Sequence, residues 1–299
     1  MPSRMKFSLT AIVLLIGAVI LRAGQGPTSR TDTPPGAKGD EPSAPKKDGE
    51  DALTKIRKGQ LLTKEQMSRV RLAEFKPGER VTVRFKNDVL HRFLDAVAGS
   101  PEYSYRGYRE EFLAKSNSEK LAEILEVTGM YFADDIEVTS DPEAIRVFRT
   151  DVMPMIRTGC ASSKCHGGPN APRIRLHTQE TPAAVLTNFY VLDSFEGPGG
   201  VRMFDRGYPE EGYFTQYLLP RDLARAGLAH PGADIPPLAR DRDDRRYMRA
   251  VTWIGQVLRR PRQDPGLHES PDRKGKTQPT VVERGSRRPA TQRGSQTKE

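Results

Sequence analysis

Both cysteines of this 299-residue chain fall in one short run, GCASSKCHGG at residues 159–168, and a histidine directly follows the second. The spacing Cys160-x4-Cys165-His166 constrains the fold more than any other feature. Two thiols and an imidazole must share one short loop, so the rest of the chain has to build a scaffold around a three-point chemical unit. What that unit does depends first on where the protein resides. In a reducing compartment two neighbouring thiols stay free, whereas outside the cytoplasm they oxidise, bind metal or are consumed by a cofactor.

The N-terminus speaks to the compartment. MPSRMK is a basic leader, and residues 7–21, FSLTAIVLLIGAVIL, form an uncharged run of 15 residues. That suits the apolar stretch of a signal peptide and is short of the roughly 20 residues of a full membrane span. Arg22 interrupts any small-residue cleavage site, so an uncleaved anchor over residues 7–24 is the alternative. Either way, residues 25–299 are expected to be exported to the periplasm or cell envelope. Residues 25–50 are rich in Pro, Gly, Ser and charge and read as a linker, and residues 261–299 read as a disordered basic tail.

The net charge of +9 does not indicate a nucleic-acid partner. Residues 1–50 carry 7 Lys/Arg against 5 Asp/Glu, and residues 259–299 carry 11 against 5. The segment between them is nearly neutral, so the basic excess sits in the tails, and no nucleic-acid function is expected.

In an exported chain the Cys-Cys-His loop has three readings. A Cys160–Cys165 disulfide would close a tight loop and leave His166 incidental. Zinc would take two thiolates and one imidazole, with a fourth ligand still to be found. Covalent haem needs two thiols to add across the porphyrin vinyls and a histidine beside the second thiol to reach iron. The usual attachment loop has two residues between the cysteines; here Ala161, Ser162 and Ser163 are small enough for two extra residues to bulge. Gly167 and Gly168 permit a sharp reversal next to it.

The rest of the chain reads as mostly helical. Thr63 to Gln66 fits a capping box, followed by a helix that ends at Pro77-Gly78. VTVRF at residues 81–85 alternates like a short strand, and Val89, Leu90, Phe93, Leu94 and Val97 then recur at helical spacing. Ser118 is expected to cap a helix that ends at Gly129. Asp141-Pro142-Glu143 should start another helix that bends near Pro154 and ends at Gly159. Residues 167–200 read as loop. A short helix over PEEGYFTQYLL and a last helix over DDRRYMRAVTWIGQVLRR complete the pattern. Asp241 is expected to cap the last helix, and Trp253 to fill its core face. Asp205-Arg206 and Arg240 to Arg246 read as solvated or capping groups. Two units are expected: a helical region at 51–140 of unassigned role, and a second unit at 141–260.

Five segments in order carry a resemblance. FRTDVMPMIRTGCASSKCHGG is followed by RIRLHT, then RGYPEEGYFTQYLL, AHPGADIPPL and YMRAVTWI. Together they resemble the planctomycete-type cytochrome c domain family, a helical fold with covalent haem. The resemblance covers residues 141–258 and says nothing of residues 1–140. It implies an all-α, cytochrome-c-like domain with one haem c, Cys160 and Cys165 as thioether anchors and His166 as proximal iron ligand. It departs from the family at three places: the x4 spacing, Gly212 where a serine is usual, and Ile235 where a methionine precedes Pro-Pro.

That methionine is often the second axial ligand, and isoleucine cannot coordinate iron. His230 is the first candidate for the distal position; His177, Met203 and Met248 come next. An iron with no sixth protein ligand would leave the site open to small molecules. His91 and His268 have no such context. The expected activity is single-electron transfer by an exported c-type cytochrome, tethered to the membrane and serving an unassigned redox partner. A haem-free scaffold with a Cys160–Cys165 disulfide and a peroxidase-like enzyme with an open distal site are the alternatives.

Overall fold

The computed structural model describes residues 51–232 and 235–267. The expected signal or anchor, the linker, His268 and residues 268–299 of the expected tail lie outside these. Among the described residues no helix is long and apolar enough to cross a membrane.

Asp51 caps α1 (Ala52–Arg57) through its own side chain. Thr63 and Gln66 close the expected capping box on α2 (Lys64–Glu74). Then follow β1 (Val83–Phe85), α3 (Val89–Val97), α4 (Tyr108–Ala114), α5 (Asn117–Thr128) and β2 (Ile136–Val138). β1 and β2 pair antiparallel with Val83 opposite Val138. The architecture is therefore mostly helical but not all-α, because Ser68 on α2 bonds both Ile136 O and Val138 N and holds the ribbon against that helix. α5 is capped by Ser116 rather than Ser118. Ser118 instead exchanges hydrogen bonds with the backbone of Val81.

α6 (Glu143–Val147) opens with Pro142 at its N-cap. Asp141, expected to cap it, is drawn away to Arg71 and Arg149, a charge-assisted pairing stronger than a cap bond. The helix then widens into a π-helical turn (Phe148–Val152), tightens over α7 (Met153–Met155) and widens again (Ile156–Cys160). Pro154 is the physical reason: it has no N–H to give to the ladder, so the spacing relaxes on both sides. The second wide turn ends on Cys160.

α8 (Pro182–Asp193) falls where a loop was expected. Thr181 caps it and Pro182 sits in its first turn. Its residues from Ala184 to Asp193 are all buried, so the sequence shows no polar face and no helical period to read. After α9 (Tyr213–Leu218), the last helix α10 (Arg245–Thr252) is capped by Asp244, not Asp241, and runs on as a π turn (Trp253–Val257).

Among the described residues two apolar cores form. One gathers α3, α4, α5 and the β ribbon; the other gathers α6 to α10 with Ile56, Leu62 and Val70. The chain passes between them twice, within α2, where Val70 joins one core and Leu72 the other, and again between Val138 and Ala144. Trp253 fills the second core as expected, with its Nε1–H donating to the Ala144 carbonyl at 3.0 Å and its ring against Phe148. Arg206, expected in solvent, is 6% exposed. It bridges Glu74 of α2 and Asp193 of α8, and Arg262 completes the cluster on Asp193. Arg262 and buried Leu267 also show that the chain stays on the body past residue 261, where the tail was expected to begin.

Candidate functional site

The chain turns back on itself directly after the second π turn. His166 N donates to Cys160 O at 3.0 Å, Cys165 N to Ser162 O at 3.0 Å, and Gly167 N to Ser162 O at 2.9 Å. This compact knot needs its glycines. A Cβ on Gly167 would stand 2.0 Å from the Ala161 carbonyl oxygen, and one on Gly168 2.2 Å from that of Ser163. Ser162 and Ser163 are exposed, as a bulge would be, but Ala161 is turned inward and buried.

Cys160, Cys165 and His166 face a cavity of about 630 Å³. Its walls are mainly apolar: Ile156, Ile174, Leu176, Phe214 and Leu218, with Tyr213 and Tyr217. His230, Met203 and Ile235 line it as well. The structure therefore brings together all four leading candidates and one runner-up. Met248 is not among the lining residues; it is 48% exposed on α10. His177 is also absent from the lining. Its N–H and C=O are both held by the Asn188 side chain at 2.8 Å, and its buried Nε2 has no hydrogen-bond partner.

The two cysteines are free thiols, neither joined to the other. Burial, and then the neighbouring Cys165, push the Cys160 thiol up to about 11. A thiol so placed stays protonated at neutral pH and behaves as a poor nucleophile until something in the cavity draws the proton away.

The imidazole of His166 is aimed by a strap over residues 172–177. Its Nδ1 lies 3.1 Å from the Ile174 carbonyl oxygen. A carbonyl only accepts, so Nδ1 carries the proton and Nε2 offers its lone pair. The strap is tightly made. Ile174 N bonds Pro172 O at 2.7 Å across Arg173, whose φ is +62°, a three-residue turn in a strained backbone region for a non-glycine residue. Leu176 N donates back to His166 O at 2.7 Å.

His230 sits across the cavity, with its ring centroid 6.2 Å from that of His166 and 4.8 Å from that of Tyr217. Desolvation, then His166 and Arg221, hold its pKa below the ordinary histidine value, which favours the neutral ring. Its Nδ1 accepts the Gly232 N–H at 3.2 Å. In the neutral ring the proton then resides on Nε2. The two histidines are therefore complementary: one presents a lone pair, the other a proton.

The Ile174 carbonyl, Asn188 and Tyr217 are parts of this site that sequence reasoning passed over. A backbone carbonyl leaves no side-chain signal. Asn188 did leave one, as a lone amide inside an apolar run, because a buried amide must find partners. Among the described residues, no group of three or more His, Cys, Asp or Glu side chains converges as a metal site would require. No protein-family model, curated protein or solved structure matches the chain.

Proposed function

We propose that the protein is a c-type cytochrome of the cell envelope that carries single electrons on one covalently bound haem. The observation that carries this is the donor set. Two free thiols and an imidazole with its Nε2 lone pair unengaged face one apolar cavity, whose volume falls in the range of about 300–1,000 Å³ typical of cofactor sites. Cys160 and Cys165 would hold the haem through thioethers, and His166 would bind its iron. Haem supplies a one-electron couple whose potential is set by axial ligand, burial and hydrogen bonding.

This chain's own residues supply the setting. The Ile174 carbonyl fixes the tautomer and ring plane of His166 and makes the imidazole a stronger donor. Ile156, Leu176, Phe214 and Leu218 give the cavity an apolar lining that disfavours water. The helical domain around it is cytochrome-c-like on this reading, the N-terminal segment exports and tethers it, and a separate redox protein exchanges electrons with it.

His230 is the candidate for the distal position, but with Gly232 on Nδ1 it offers a proton rather than a lone pair. It could coordinate through Nε2 only by giving up that bond. This one observation favours a second reading, in which the distal position stays open and His230 hydrogen-bonds an incoming small molecule.

The test is to express the chain with haem-maturation machinery and record its spectrum before and after acid–acetone extraction. A Soret band that stays with the protein is expected. A colourless chain with a disulfide peptide across Cys160 and Cys165 would overturn the proposal in favour of a haem-free scaffold. A ferric spectrum that shifts on adding cyanide selects the open distal site, and one that does not selects His230 as ligand.

A further inference from the structure

Residues 51–62 lie outside the five segments that resemble a cytochrome, yet α1 touches the strap that aims His166. The Arg57 carbonyl, at the end of α1, accepts the N–H of Arg175 at 2.7 Å. That N–H belongs to the same peptide group as the Ile174 carbonyl on which His166 Nδ1 is held. One peptide unit is therefore pinned at both ends, by α1 on its N–H and by the imidazole on its oxygen.

The approach is built for this contact. Gly59 follows α1 with φ +105°, and a Cβ there would stand 2.6 Å from Cδ of Arg175. Ile56, 1% exposed, anchors α1 in the core beneath the cavity. Arg57 also donates to the Ser194 carbonyl just past α8, and Leu62 N to Thr187 Oγ1 within it. A last-turn helix carbonyl has no partner inside its own helix, and here that oxygen is spent on the strap.

We infer that α1 is a positioning element that tunes the His166 imidazole through the Ile174–Arg175 peptide. Hydrogen bonds in a chain polarise one another. Accepting at Arg57 draws the Arg175 N–H, which makes the Ile174 oxygen more negative and strengthens its hold on Nδ1–H. A stronger bond at Nδ1 makes Nε2 more basic. On the haem reading, on which this rests, a more basic ligand favours the oxidised iron, so α1 lowers the reduction potential. The segment that leads from the N-terminal linker thus bears directly on the redox centre.

The experiment compares Ile56→Ala and Gly59→Val with Val97→Ala, a control in the other core that lowers stability without touching α1. In the haem-loaded protein the first two variants should raise the midpoint potential and alter the ferric electron-spin resonance signal, and the control should leave both unchanged. In full-length chain prepared without haem, the Arg175 amide should exchange hydrogen about tenfold faster in the first two variants only. Equal potentials in all three haem-loaded variants overturn the inference. If the protein takes up no haem, the function proposed above fails, and amide exchange alone decides the positioning role: equal rates at Arg175 in all three variants overturn it.

Discussion

The His166 Nδ1 lies 3.1 Å from the Ile174 carbonyl oxygen, and the His166 carbonyl accepts the Leu176 N–H at 2.7 Å. The strap thus grips the histidine by ring and backbone separately. Removing the ring should leave the backbone grip intact. On the haem reading, His166→Gly is expected to keep haem covalently attached while losing the proximal ligand. Imidazole added to the solution should restore the wild-type absorption spectrum, and absence of any restoration would count against an intact cavity around a missing ligand.

Gly167→Ala tests the knot. The new Cβ would meet the Ala161 carbonyl oxygen at 2.0 Å, and backbone cannot swing aside as a side chain can. A cost of about 1–3 kcal/mol is expected from the forced shift. It should fall on the loop: on the haem reading, covalent haem yield drops sharply while Trp253 fluorescence stays native. A variant with normal haem yield would show that the loop tolerates opening.

Asn188→Leu removes the amide that closes the far end of the strap. The His177 N–H and C=O lose their partners, at about 1–3 kcal/mol for each group left unsatisfied. Asn188→Asp keeps the acceptor for His177 N–H and loses the donor, so its loss of stability in urea should be the smaller. Equal losses for the two would mean that the bond accepted from the His177 N–H contributes nothing.

Arg206 holds Glu74 and Asp193 in a buried cluster, with N–O distances of 2.7 and 2.6 Å. Arg206→Met leaves two carboxylates facing each other without their shared cation, and breaking such a buried pair costs about 3–5 kcal/mol. The thermal midpoint should fall accordingly, and adding Glu74→Gln to the same chain should recover part of it by removing one of the stranded charges.

The same cluster sets a pH dependence. Burial, opposed by Arg206 and reinforced by Asp193, pushes the Glu74 carboxyl up to about 7 from the ordinary glutamate value of 4.5. The native state therefore binds more protons than the unfolded chain between these values, and stability falls as pH rises through that window. Urea midpoints measured from pH 4.5 to 7 should decline and then level off on this account. Glu74→Gln should flatten the slope, and an unchanged slope would assign it to other groups.

Much of the helical skeleton was legible. The capping box at Thr63 and Gln66, the amphipathic run at Val89–Val97, the glycine stop at Gly129 and the relaxation around Pro154 all follow from local chemistry, and the structure has each of them. Two of the errors come from competition by distant partners. Asp141 left its cap for Arg71, seventy positions away, and Arg206 left solvent for Glu74. α8 went unread because burial on every side erases the polar face that makes a helix visible.

The sequence by itself determined that two thiols and an imidazole share one loop, because covalent spacing leaves them nowhere else to go. It also placed the glycines that let that loop close. Only the tertiary structure decided which nitrogen of each histidine faces the cavity, since that depends on the Ile174 carbonyl and the Gly232 N–H brought within hydrogen-bond reach by folding. It likewise joined α1 to the strap: a contact between Arg57 and Arg175 rests on backbone atoms common to every residue, and no side chain announces it.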